Sequence, residues 1–238
     1  MIAFLTSSPA VADGTALNPA NGFADALRGA VPAPVEGLFI CSDPDSHDRT
    51  DSFAADMKAL MEGAGLRFAG WRVLDGRNAG DAPTLVRRAG LIVLAGGHVP
   101  TQNRFFQKIG LKGLLAGWDG ALIGISAGTM NCAETVYAHP ELEGEAIDPG
   151  YRRFLLGLGL TRVSVLPHVQ SWRNDRLDGL RLIEDIALPD SAGRCFYALP
   201  DGSWLFLRDG RTELMGAAWR VADGEMEKVC GDGETLEL

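Results

Sequence analysis

Five short apolar runs constrain this chain more than any other feature. They are IAFL (2–5), GLFICS (37–42), LRFAGWRV (66–73), LIVLAG (91–96) and ALIGIS (121–126), each bounded by Gly, Pro or Asp. Several are apolar at odd and even positions alike. A strand with one face in water alternates, whereas a strand apolar on both parities is covered on both faces. Helical periods lie between the runs. DSFAADMKALMEGAG (51–65) spaces its apolar residues for a helix and ends on a glycine suited to a C-terminal cap. DAPTLVRRAG (81–90) predicts a shorter helix with Pro in its first turn. Strand–helix–strand alternation makes a parallel sheet with right-handed crossovers. The predicted fold class is therefore α/β, a doubly wound and mostly parallel sheet. Ligands sit beyond the carboxyl ends of such strands, so the residues just after each run are the places to look for chemistry.

The last third changes character. FYALPDGSWLFLRDGRTELMGAAWRVADGEM (196–226) carries DGS, RDG and ADG between short alternating runs. These turns predict hairpins of antiparallel strands. No repeat and no Pro/Ser-rich linker separates the two parts, so residues 1–238 read as one domain with an antiparallel C-terminal extension. The length of 238 residues suits one sizeable core, and 46 % hydrophobic with 22 % charged residues is globular composition.

Composition also excludes partners. The net charge of −9 repels phosphate backbones and argues against nucleic acid. No apolar run approaches the roughly 20 residues needed to cross a bilayer. MIAFLTSSPA lacks the basic n-region of a signal peptide and reads better as the first strand. Cys41, Cys132, Cys195 and Cys230 form no CxxC pair. Reduced thiols and a cytoplasmic location are the expectation, with no zinc or iron–sulfur site.

Gly124-Ile125-Ser126-Ala127-Gly128 fits G-x-S-x-G, the nucleophile elbow. An apolar strand precedes it and helix-compatible TMNCAET follows. A serine on so sharp a turn has a strained backbone, so its neighbours must be small, and its hydroxyl stands at the top of the sheet. The N–H of Ala127 would face a developing oxyanion, with the dipole of the next helix behind it. The competing interpretation is a tight βα turn with a capping serine. A serine nucleophile needs a base and an acid to orient it. Of four histidines, His47 lies in a polar loop and is expected to be solvated. His98 follows the fourth run, and His139 falls in a loop. His168 follows strand-like VSVLP, where a doubly wound sheet collects its site, and is the candidate base. Spacing alone does not choose the acid. In AGGHVPTQ (95–102), two glycines after a strand let the backbone approach a ligand and offer a second oxyanion donor.

The strand-GG loop, the G-x-SAG elbow, PHVQ followed by arginines, and LPDGSW together resemble the peptidase E (aspartyl dipeptidase) family of serine peptidases, relatives of the cyanophycinases. The resemblance runs from about the fourth strand to Trp204. It implies a flavodoxin-like, class I glutamine amidotransferase-like fold with serine in place of the amidotransferase cysteine. It implies Ser126 as nucleophile, His168 as general base and Asp201 as the acid, with an acid near Glu141 as the alternative. The oxyanion hole would be the N–H groups of Gly97 and Ala127. Arg173, with Arg176 one helical turn on, would grip a substrate carboxylate, and His98 would touch substrate. Two departures fall in the pocket. The family's GGGN is AGGH here, and the aromatic after the catalytic histidine is Val169. Both bear on the aspartyl preference.

The expected activity is therefore a serine dipeptidase acting on small peptides with an N-terminal acidic residue, as a monomer or homodimer, with no cofactor and no metal. Two other functions compete. Amide transfer from glutamine would need a thiolate, for which only Cys132 lies near the elbow. A binding module would keep the site without catalysis, for which AGGH is the motive.

Overall fold

The two-sided apolar runs become strands with a separate hydrophobic core on each face. The computed structural model describes residues 1–238. Strands β1 (Ile2–Thr6), β2 (Val35–Ile40), β3 (Phe68–Leu74), β4 (Leu91–Leu94) and β5 (Ala121–Ile125) lie parallel in the order β3-β2-β4-β5-β1. Side chains point alternately to the two faces. Ala3, Leu5, Leu38, Ile40, Ile92, Leu94 and Leu122 enter one core, while Phe4, Phe39, Leu91, Val93 and Ile123 enter the other. Helices α1 (Phe23–Ala30) and α2 (His47–Gly63) cover the second face through Leu27, Met57 and Met61. Helices α3 (Ala82–Arg88), α4 (Val99–Lys108) and α5 (Leu111–Leu115) cover the first through Val86, Phe105 and Leu111. The chain has the doubly wound α/β fold that the runs predict.

Local chemistry sets the element ends. The 51–65 helix starts at His47, four residues earlier than its apolar period, so His47 is half-buried in a first turn and not in a loop. Its end is a Schellman cap. Gly65 takes φ +99°, its N–H donates to Glu62 O, and the Leu66 N–H donates to Met61 O. That bond uses Leu66, so β3 begins at Phe68 and not at 66. Likewise β5 stops at Ile125, because the backbone of Ser126 leaves the strand region.

The remaining strands are β6 (Thr135–Tyr137), β7 (Phe154–Leu156), β8 (Ser164–Leu166), β9 (Arg176–Leu177), β10 (Leu180–Arg181), β11 (Cys195–Ala198), β12 (Trp204–Arg208), β13 (Arg211–Met215), β14 (Ala218–Ala222), β15 (Glu225–Cys230) and β16 (Thr235–Glu237). Three one-turn helices are α6 (Ala127–Met130), α7 (Val169–Trp172) and α8 (Leu188–Asp190). Strand β12 pairs antiparallel with β1, and β13 and β16 extend the sheet to eight strands. RDG and ADG are hairpin turns as expected. Both central residues have positive φ, +52° and +78° at Asp209-Gly210, +50° and +84° at Asp223-Gly224. The C-terminal part is not one extension, however. β14 and β15 join β11 and β8 in a separate four-stranded sheet. DGS is not a hairpin either. Asp201-Gly202-Ser203 carries the chain from β11 in the small sheet to β12 in the large one, because β12 finds its partner in β1. The small sheet packs on its own core, where Tyr137 stacks on Phe196 with ring centroids 4.2 Å apart. No helix is long and apolar enough to cross a membrane.

Candidate active site

From β2 the chain crosses to β3 on one side and then returns to β4 on the other. The loops after β2 and β4 therefore diverge and leave a crevice at the carboxyl ends of the strands. A cavity of about 700 Å³ opens there, lined among others by Ser42, Gly97, His98, Ser126, His168 and Trp172. The glycine loop, the elbow and the candidate base, spread over some 71 positions of sequence from Gly97 to His168, thus share one space.

Ser126 has φ +49° and ψ −108°, a conformation that costs a non-glycine residue about 1–3 kcal/mol. Hydrogen bonds to β1 sustain it. The Ser126 N–H donates to Thr6 O at 3.1 Å, Thr129 Oγ1 donates to the same oxygen at 2.8 Å, and Thr6 Oγ1 donates to Gly124 O at 2.9 Å. The flanking glycines are needed for close approach. A Cβ on Gly128 would lie 2.4 Å from Leu94 O, and one on Gly124 2.9 Å from the Thr129 backbone. Helix α6 is one turn long, so the dipole expected behind the elbow is small.

His168 stands two residues beyond β8 and adopts the left-handed region, φ +57° and ψ +31°. Its Nδ1 lies 2.7 Å from Asp201 Oδ1. The carboxylate accepts a hydrogen bond from Nδ1–H, which keeps the proton on Nδ1 and leaves the lone pair on Nε2. Burial alone would raise the Asp201 carboxyl. The hydrogen bonds from His168 and Ser7 outweigh it and hold the group below the ordinary carboxylate value. The Asp201 N–H donates to Gln170 Oε1 at 3.2 Å. The acid beside His168 is therefore Asp201. Glu141 lines the cavity but makes no hydrogen bond to the ring. Part of Glu141 faces solvent, yet protein crowds its carboxyl, which burial and then Glu145 push up to about 7. No hydrogen bond joins Ser126 Oγ to His168; the two meet only across the cavity.

The glycine loop is sterically committed. Gly97 has φ +153°, and a Cβ there would lie 2.4 Å from Ser42 Oγ. Its N–H has no partner within the protein. Ala127 opens α6, where first-turn amides lack helical partners. The N–H groups of Gly97 and of Ala127, the residue after Ser126, are the two candidate donors beside this cavity.

The pocket wall differs more from expectation. His98 is held at both ring nitrogens, Nδ1 by Thr101 Oγ1 at 2.8 Å and Nε2 by Glu145 Oε1 at 2.9 Å. Glu145 Oε2 also accepts the N–H groups of Glu141 and Leu142, so this carboxylate knots the 141–145 loop onto His98. Arg173 lies outside the cavity lining, its guanidinium 4.4 Å from the Trp219 ring centroid. Stacking on Trp219 of the small sheet holds it away from the cavity. Arg176 does line the cavity, but on β9 and not one helical turn on, because α7 ends at Trp172. Its Nη1 donates to Gly179 O at 2.9 Å. Arg49, at the start of α2, adds a second guanidinium.

His139 sits in irregular chain as expected, yet it is fully buried. Its ring stacks on Trp172 at 4.4 Å and contacts the carbonyls of Pro140 and Leu182. Cys132 is buried, its thiol donates to Gly128 O at 3.1 Å, and burial pushes it well above the ordinary thiol range. Sequence reasoning missed Ser7, Glu145 and Arg49. None lies in a motif, and Ser7 meets its partners across more than 160 residues.

No protein-family model matches the chain, and no curated protein matches it. Solved structures do. A peptidase from an acI-B1 Actinobacterium superposes with a TM-score of 0.69 at 18 % identity, over 100 % of this chain and 96 % of that one. The "putative peptidase E protein" of Listeria monocytogenes EGD-e superposes with a TM-score of 0.58 at 15 % identity, over 96 % and 98 %. Likeness at these identities is a likeness of fold, and it extends over nearly the whole of all three chains.

Proposed function

We propose that the protein is a serine peptidase of peptidase E type that hydrolyses small peptides. One observation carries this reading. A serine held in a strained elbow opens on the same cavity as a histidine whose Nδ1 is hydrogen-bonded to a carboxylate. The peptidase names of two neighbours in fold support it.

In this mechanism Ser126 Oγ attacks the scissile carbonyl carbon while His168 Nε2 takes its proton. The negative oxygen is received by the N–H groups of Gly97 and Ala127. Asp201 keeps the ring in the tautomer that can accept, and stabilises the imidazolium. His168 then returns the proton to the departing amine. A water, deprotonated by the same ring, cleaves the acyl-enzyme. Approach of Ser126 to His168 accompanies substrate binding, as such contacts tighten in the substrate complex. The cavity suits a dipeptide in size. Arg176 would hold an acidic N-terminal side chain, with a guanidinium geometry matched to carboxylate. His98 would act as a wall, since its ring nitrogens are already occupied.

The test is hydrolysis of a dipeptide panel, Asp-X and Glu-X against neutral and basic X-X, by wild type and Ser126→Ala. Serine-dependent cleavage of Asp-X alone carries both mechanism and preference. Serine-dependent cleavage of other dipeptides keeps the mechanism and reassigns the pocket. A second reading, a non-hydrolysing ligand-binding relative, draws on the open Ser126–His168 contact. A fluorophosphonate probe separates the two, because only a working triad labels Ser126. Amide transfer finds no support, as Cys132 is buried beneath the elbow.

A further inference from the structure

Ser7 directly follows β1, the strand between the parallel and antiparallel halves of the large sheet. It has no solvent exposure. Its Oγ donates to Asp201 Oδ1 at 2.7 Å and accepts the His168 N–H at 2.9 Å. Its own N–H donates to Ser203 O at 3.3 Å, within the turn that carries Asp201. One hydroxyl thus joins the main chain of one member of the pair to the carboxylate of the other. Ser7 Oγ is 3.4 Å from His168 Nδ1, against 2.7 Å for Asp201 Oδ1, so it does not compete for the ring proton.

We propose that Ser7 is a positioning residue for the His168–Asp201 pair. The inference rests on the reading in which His168 is the general base. The physical need is visible at His168. A left-handed backbone is costly for a residue with a side chain and persists only where its surroundings dictate it. The Ser7 hydroxyl satisfies the partly buried N–H of that strained residue. It also fixes the carboxylate to which the strained residue's ring must bond. Alanine at position 7 would leave the His168 N–H without its partner and the Asp201 carboxylate held by the His168 ring alone.

The experiment compares wild type, Ser7→Ala and Ser7→Thr, which keeps a hydroxyl. The His168 ring protons are followed by NMR in ¹⁵N-histidine-labelled protein and assigned by their loss in His168→Gln. In Ser7→Ala the Nδ1 proton is expected to exchange with water at least about tenfold faster. On the best peptide of the panel, kcat falls by about ten- to a hundredfold with KM within about twofold. Ser7→Thr restores most of both. If Ser7→Ala does not fold, Ser7→Cys, a weak donor of similar size, takes its place. Wild-type exchange in the folded variant overturns the proposal, as does a fall in kcat without any change at the ring. The exchange measurement needs no substrate. If Ser126→Ala leaves hydrolysis intact, the peptidase reading fails while the role of Ser7 is still decided.

Discussion

The two halves of the candidate site are built differently. Ser126, His168 and Asp201 stand at strand ends or in a turn between sheets; the backbone N–H groups of Ser126 and His168 and the carboxylate of Asp201 are tied to Thr6 and Ser7, at the end of the central strand. His98, Glu141, Glu145 and Arg176 stand on loops and a two-residue strand, held by side-chain contacts or a local carbonyl. The first half is imposed by the sheet. The second is imposed by whatever the loops meet. Under the proposed mechanism, chemistry is therefore fixed by the sheet, while selectivity is free to vary on a constant frame.

The comparison breaks most visibly at the elbow. Ser126→Ala is expected to lower kcat/KM by on the order of 10⁴-fold or more with the fold intact by circular dichroism. An unchanged rate would remove the sheet-borne half from the chemistry. Asp201→Asn should cost about 10⁴-fold through the wrong tautomer, whereas Glu141→Gln should leave kcat close to wild type. Reversal of those two would move the acid to the loop. Gly97→Ala brings a side chain against Ser42 and disfavours φ +153°. A loss of about 10²- to 10³-fold is expected from the displaced N–H, and full activity would dismiss Gly97 as a donor.

On the loop-borne half, effects should be smaller and should appear in KM. Arg176→Ala should raise KM for acidic N-terminal peptides by about ten- to a hundredfold, while Arg173→Ala, stacked on Trp219, should not change it. The smallest effect concerns pH. Burial drives His139 down to about 4, with the Leu182 and Pro140 carbonyls pulling the other way. The unfolded chain binds this proton near pH 6.5 and the folded chain does not, so stability falls as pH drops from 6.5 towards 4. The slope is about 1.4 kcal/mol per pH unit in that window. Urea unfolding at pH 7.0 and 5.5 should show a loss for wild type that His139→Gln lacks. Equal losses would mean that His139 is protonated while folded.

Legibility followed the same division. The five runs, the Schellman glycine at 65 and the I′ turns at 209 and 223 were readable because each is a local rule. Gly124, Ser126 and Gly128 were readable because a strained turn admits few residue types. The split of the C-terminal strands between two sheets was not, since β12 finds β1 some 200 positions upstream while β14 pairs with β11, and no local rule chooses those partners. His47 illustrates a boundary error, because a polar first turn carries no apolar period. Arg173 was assigned by resemblance, and the helical turn assumed after His168 set only the place of Arg176. Nothing in the neighbourhood of Arg173 announces a tryptophan 46 positions later.

The placement of β1 between β5 and β12 has a consequence for how the protein comes to life. Strand one must wait for strand twelve, and Ser7 must wait for Asp201, 194 positions downstream. On the ribosome, the elbow emerges long before His168 and Asp201, so under the proposed mechanism a growing chain holds an inert serine. In refolding, closure of so long a loop is slow relative to helix formation. Hydrolytic activity should then return last, after helical signal and after burial of the aromatic residues.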